Sequence, residues 1–254
     1  FLPVKTIVSV RNDPEREYAG RLGRLVGKIL LPLADGCVFQ TEQARAWFPR
    51  RLQKKSRVIM NQVDESFFSD SGKGPEGYVM TAGRLTRQKN QALLIRAFAA
   101  IAPQVEQELR IYGEGELRGE LEELIKSLGM EKRIKLMGAS DNMPQVLAGA
   151  GLFVLPSDYE GMPNALLEAM ASGLCCIATD CPCGGPETII DNGINGRLVL
   201  VGDEQALRDA MLELLRDEDK RREMGAKARS RAEDFRPEAI FEQWRQYVEI
   251  VTGG

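Results

Sequence analysis

An α/β fold is what this sequence predicts, and three observations carry the expectation. Nine short strand-like runs recur along the chain, and helical patterns separate most of them. Most of the runs are apolar, as parallel strands covered on both faces should be. Several end in Gly, Ser or Asp, where a doubly wound sheet turns toward the crevice that holds its ligand.

The elements follow in order. "VKTIVSV" reads as a strand, residues 15–34 as a helix, and "CVFQT" and "RVIM" as two further strands. "VDESFFSDSGKGPEG" then breaks the periodicity with Gly72, Gly74, Pro75 and Gly77, as a connection between domains would. The strands "YVMTAG", "LRIYG", "IKLMG", "LFVLPS", "CCIATD" and "GRLVL" come next, with helical stretches near 88–101, 116–128, 163–172, 203–217 and 219–233. This divides the chain into units at 1–70, 71–236 and 237–254. The middle unit is long enough to be a complete Rossmann-like domain, whereas the first holds three strands and reads as the back half of one. An opening Phe1 that leads straight into a strand gives the same expectation, a chain whose beginning has been removed. In the last unit Pro237 fits a first helical position, and Ile240, Phe241, Trp244, Tyr247, Val248 and Val251 share one helical face. That face needs a surface, and the expectation is that it returns to the first unit and ties the two together.

Composition narrows the function classes. With 254 residues, 43% hydrophobic content and a net charge of −3, the chain has the balance of a globular protein and not of a nucleic-acid binder. No apolar run is long enough to span a bilayer and no signal-peptide pattern appears, which predicts a cytoplasmic protein. The five cysteines, Cys37, Cys175, Cys176, Cys181 and Cys183, are odd in number and lack zinc spacing, and the chain has no histidine. They read as reduced thiols, with no metal site.

"YEGMPNALLEAMASG" places Glu160 and Glu168 on either side of a turn. On one continuous helix they would stand about 12 Å apart, beyond the roughly 5–9.5 Å of a glycosidase carboxylate pair. Pro163 also belongs in a first helical turn and not in an interior. Glu160 is therefore expected on the loop and Glu168 on the second turn of a helix. Two readings stay open from spacing alone. Both glutamates are solvated charges favoured by the helix dipole, or they hold hydroxyl groups beside the N–H groups of residues 162–165, a natural anion site.

"EGMPNALLEAMASG" resembles the signature of the family 4 retaining glycosyltransferases. "AGRLTRQKN", "YGEGE", "IKLMGASDNM", "LPSDYEGMP", "CGGPETI" and "NGINGRLV" follow that family's order across nearly the whole chain. The resemblance implies the GT-B fold of two facing Rossmann-like domains and transfer of a hexosyl unit from a nucleotide-sugar, with UDP the expected nucleotide. The acceptor would be a glycan or a lipid-linked glycan in polysaccharide biosynthesis, and no metal or other cofactor is expected. It also implies the site. Arg84 and Lys89 would hold the diphosphate, Glu160 the donor sugar and Glu168 the ribose. Gly161, Met162, Pro163 and Asn164 would line the sugar and diphosphate through main chain, and Leu136, Met137 and Gly138 would seat the base. Gly113 and Gly115 are open between ligand contact and a tight turn.

The sequence departs from the family pattern in places. A histidine common on the acceptor side is missing, Cys176 stands where proline is common, and Cys183 where serine is common. With the acceptor side incomplete, nucleotide binding with weak or no transfer is the expectation for this chain alone. The competing readings are a non-catalytic nucleotide-sugar-binding module and a nucleotide-sugar epimerase, which lacks the spaced glutamates.

From Arg11 to Arg57 the chain carries eleven Lys/Arg against five Asp/Glu. Arg16, Arg21, Arg24 and Lys28 surround Leu22, Leu25, Val26, Ile29 and Leu30. We expect the apolar residues to pack on the first unit while the cations draw the protein to an anionic membrane.

Overall fold

The computed structural model describes residues 4–68 and 77–253, so the expected boundary at 70–71 lies outside the described residues. Two parallel sheets form the frame. The first has three strands in the order β1-β2-β3: Ile7–Val10, Gly36–Phe39 and Ser56–Val58. The second has six, β4 Tyr78–Ala82, β5 Leu109–Tyr112, β6 Ile134–Gly138, β7 Ala150–Leu155, β8 Cys176–Asp180 and β9 Arg197–Leu200. Their order, β6-β5-β4-β7-β8-β9, is that of a doubly wound sheet, with its switch point between β4 and β7. Each of the nine strand-like runs is a strand.

Twelve helices connect and cover the sheets among the described residues. In chain order they are α1 Pro14–Glu17, α2 Gly20–Leu25, α3 Glu42–Ala46, α4 Arg50–Gln53, α5 Gln91–Ile101 and α6 Arg118–Ser127. They continue as α7 Met143–Ala148, α8 Asn164–Ala171, α9 Gly185–Ile189, α10 Glu204–Arg216, α11 Glu218–Ala232 and α12 Pro237–Thr252. Side chains alternate across the second sheet, as strand geometry requires. Val79, Leu152 and Val154 join a core with Phe98 of α5 and Met211 of α10, while Met80, Phe153 and Leu155 face α8 and α11.

The second of these cores is continuous with the first sheet. Val38, Ile59, Val63 and Phe68 belong to the same buried cluster as Leu166, Met170, Phe235, Ile240 and Tyr247. Each such buried side chain contributes about 1.5–3 kcal/mol relative to exposure. Tyr247 of α12 reaches β2 directly: its hydroxyl accepts from the Cys37 N–H at 2.7 Å and donates to the Lys55 carbonyl at 2.6 Å. Gly36 makes room for it, since a Cβ there would stand 2.5 Å from that hydroxyl oxygen.

Residues 15–34 do not form the single helix that the sequence predicts. α1 ends at Glu17, the chain is extended at Ala19, and α2 starts at Gly20, whose φ is +76°. The chain then widens into a π-helical stretch over Val26–Leu30 and tightens into a 3₁₀ turn at Leu31–Leu33, which contains Pro32. The expected packing of its apolar side chains is overturned for all but Val26. Leu22, Leu25, Ile29, Leu30 and Leu33 are 44–75% exposed. Val26 is half-buried and Leu31 packs against the core of the first sheet, and polar contacts also hold the stretch down: Lys28 donates to the Trp47 carbonyl at 2.6 Å, and Arg51 to the Ile29 carbonyl at 3.2 Å.

Candidate active site

The loops leaving β4 and β7 meet at the switch point and are stitched together. The Asp158 N–H donates to the Gln88 carbonyl at 2.8 Å, and the Gln88 amide donates to the Tyr159 carbonyl at 2.9 Å. Asn90, in the left-handed region at φ 44°, caps α5 and donates to the Asp158 carboxylate at 2.7 Å. Asparagine tolerates that conformation better than most residues, because its short amide can bond locally.

Lys89 and Glu160 lie inside this seam. The ammonium is 2.5 Å from Glu160 Oε1, and the two side chains are 18% and 7% exposed. Ser157, fully buried, donates its hydroxyl to the same oxygen at 2.6 Å. Thr179 on β8, also fully buried, donates to the Ser157 carbonyl at 2.5 Å. Two charges withdrawn from water need this pairing, since removing one partner would leave the other buried and uncompensated. Arg84 differs. It is exposed, and no carboxylate among the described residues pairs with it.

Two glycine contacts bring the β5 turn onto the same loop. A Cβ on Gly113, whose φ is +133°, would stand 2.0 Å from the Gly83 carbonyl oxygen, and one on Gly115 would be 2.4 Å from that of Leu85. Close backbone approach is therefore what both glycines provide.

The "EGMPNALLEAMASG" turn has Glu160 on a loop and Glu168 on α8, with Pro163 as the residue before the first helical one. Gly161 packs against the first sheet, where a Cβ would fall 2.2 Å from the Arg11 carbonyl oxygen. The Met162 N–H is not free, because it donates to Gln40 Oε1 at 3.2 Å. Of the main-chain donors expected there, those of Asn164 and Ala165 have no acceptor among the described residues.

Three side chains at the carboxyl ends of the first sheet complete this wall. Arg11 and Gln40 both donate to Asn61 Oδ1, and the Asn61 amide donates to Asn164 Oδ1 at 2.6 Å. The cleft behind this network has a volume of about 800 Å³, and Arg11, Gln40, Asn61, Met162, Asn164 and Glu168 line it together with Asp64 and Trp244. Glu168 is half-buried, and desolvation, helped by the Asp64 charge, pushes its carboxyl above its ordinary 4.5.

The expected site residues thus fall into three groups. Lys89 and Glu160 touch, with Arg84 on the same loop as Lys89. Met162, Asn164 and Glu168 share the cleft, which Arg84, Lys89 and Glu160 do not line. Leu136 and Met137 lie on β6, the sheet's edge strand, in a separate depression, and Gly138 accepts from the Gly113 N–H at 2.8 Å. Arg11, Gln40, Asn61 and Ser157 were not anticipated. The rule that α/β sheets bind ligands beyond strand carboxyl ends points to the first three, which follow β1, β2 and β3.

Residues 63–231, more than half of the chain, match the family of glycosyl transferases group 1. The chain belongs to this family. A relative in Streptomyces coelicolor, named an exopolysaccharide phosphotransferase, is 34% identical over 227 residues, which are 87% of this chain and 24% of that protein. An α-1,4-N-acetyl-D-galactosaminyltransferase of Campylobacter jejuni, named for an undecaprenol-linked glycan, is 29% identical over 233 residues, 90% of this chain and 64% of that protein. The chain therefore spans less than two thirds of the length of either relative. The Anabaena protein HepE, solved with UDP, aligns with a TM-score of 0.86 at 22% identity, over 96% of this chain and 72% of that one. That likeness establishes the fold, which is of the GT-B type.

Proposed function

We propose that this chain binds the donor in a retaining glycosyltransferase that moves a hexosyl unit from a UDP-sugar to a glycan or lipid-linked acceptor, without a metal. The observation that carries the reading is the buried Lys89–Glu160 pair at the switch point, with the exposed Arg84 beside it. A nucleoside diphosphate brings negative charge to that point. Arg84 offers an uncompensated, forked guanidinium suited to phosphate oxygens. Lys89 adds a second cation once phosphate competes with Glu160 for it, and together they stabilise the charge that grows on the leaving nucleotide. Glu160 accepts from hydroxyls of the donor sugar, and Glu168, one helical turn beyond Asn164, accepts from the ribose diol. Main chain at Gly161–Asn164 and at Leu136–Gly138 would complete the sugar and base contacts. In this reading the donor diphosphate itself helps to deprotonate the acceptor on the face from which it departs.

UDP in the HepE structure and the undecaprenol-linked glycan in the name of the Campylobacter relative support the choice of donor and acceptor class. The test is a thermal-shift panel of UDP-, GDP- and ADP-sugars. A UDP-sugar should give the largest rise in melting temperature, and Arg84→Ala or Glu168→Gln should remove it. Full shifts in both variants would place the donor elsewhere. A peripheral position on the cytoplasmic face of an anionic membrane is part of the proposal, and liposome sedimentation checks it.

A further inference from the structure

The oxygens of Glu160 are not equivalent. Oε1 takes both the Lys89 ammonium at 2.5 Å and the Ser157 hydroxyl at 2.6 Å, whereas Oε2 has no partner among the described residues. The only buried side-chain oxygen that lacks a partner among those residues is Gln91 Oε1, so Glu160 Oε2 is open to solvent although its residue is 5% exposed. Lysine at the end of a flexible stem can follow a carboxylate through several orientations. Ser157 cannot: it is fully buried, and Thr179 holds its carbonyl. Its hydroxyl therefore marks a fixed point in the seam.

We propose that Ser157 is a positioning residue, one that pins Oε1 so that Oε2 alone is presented to the donor's sugar hydroxyls. The proposal rests on the reading of Glu160 as the sugar-contacting carboxylate. It adds that the orientation of this carboxylate is set by Ser157, and that the serine becomes more important once Lys89 turns toward phosphate. At that moment Ser157 is the remaining side chain that holds Oε1. Preorganisation of this kind acts on the contact it supports and not on distant parts of the same ligand.

Calorimetric titration of UDP, UDP-glucose and UDP-N-acetylglucosamine into the wild type, Ser157→Ala, Ser157→Thr and Glu160→Gln tests it. The measured quantity is the Kd of each UDP-sugar divided by the Kd of UDP. Ser157→Ala should leave UDP within about twofold and raise that ratio about tenfold. Ser157→Thr, which keeps the hydroxyl, should restore it. Because only one oxygen atom is removed, the alanine variant is expected to fold, and its melting temperature verifies this. Equal weakening of UDP and UDP-sugar in Ser157→Ala would mean a merely structural role and overturns the proposal. A raised ratio in Glu160→Gln with no change in Ser157→Ala overturns the proposal alone. An unchanged ratio in Glu160→Gln overturns the role of Glu160 itself, and Ser157 falls with it.

Discussion

Lys89 and Glu160 neutralise one another inside the fold, and that pairing limits what either can offer a ligand. Arg84, by contrast, is exposed and has no carboxylate partner among the described residues. Glu168 shows the opposite arrangement, a carboxylate in a cleft wall with another acid, Asp64, nearby and its own pKa raised by burial. In an acid of this kind the fold favours the protonated form. Its favourable contribution is complete below the unfolded value near 4.5 and is lost as the pH rises through the raised folded value. At pH 7 the ionised Glu168 is thus a burden on stability. Glu168→Gln should raise the melting temperature by about 2 °C or more at pH 7, and the gap should close as the pH falls toward 4. A gap that stays constant across that range would remove burial as the cause. The same variant should lose the UDP-sugar response, which is the trade-off expected where a site is kept for function at the expense of stability. The two glutamates were legible in the sequence because proline and helix spacing place them locally. Ser157 was not, since a serine before an acidic loop gives no local sign of which oxygen it will meet.

At the scale of elements, the β4 and β5 turns are pressed together with no room for side chains. Gly113 combines a left-handed φ of +133° with a would-be Cβ 2.0 Å from the Gly83 carbonyl oxygen, whereas Gly193, at φ +79°, has nothing within 4 Å. Gly193→Ala should cost only the backbone term, about 1–2 kcal/mol. Gly113→Ala should cost more, about 3 kcal/mol or above, because the Lys89 loop must move as well. Denaturant unfolding measures both, and equal losses would show that the close approach is not tight in solution. The difference could not be anticipated from the motif "YGEGE", which left both glycines open between turn and ligand. Helix prediction failed in a related way over residues 15–34. Apolar spacing there is helical, yet Gly20 and Pro32 interrupt it, and two neighbours that bond to the stretch, Trp47 and Arg51, come from the end of α3 and from α4.

Across the whole molecule, those five outward-facing aliphatics lie in a stretch with no acidic residue between Glu17 and Asp35, beside the cations of α4. Scattered exposed leucines are ordinary, but five within twelve residues form a patch. A surface with both features should bind anionic vesicles in two parts. High salt screens the attraction of the cations, and the aliphatic contribution persists. Sedimentation with phosphatidylglycerol vesicles should therefore fall but not vanish at about 1 M salt. Absence of binding at low and high salt alike would remove the membrane from the proposal. By itself the sequence determined the nine strands, their order along the chain and the α/β class, because short apolar runs and their punctuation act over a few neighbouring residues. Only the tertiary structure decided that Arg11, Gln40 and Asn61 meet α8, that Oε1 and not Oε2 of Glu160 is held, and that the 22–33 aliphatics face outward. Those outcomes depend on how two sheets and α12 close on one another, and contacts between residues a hundred positions apart leave no period in the chain.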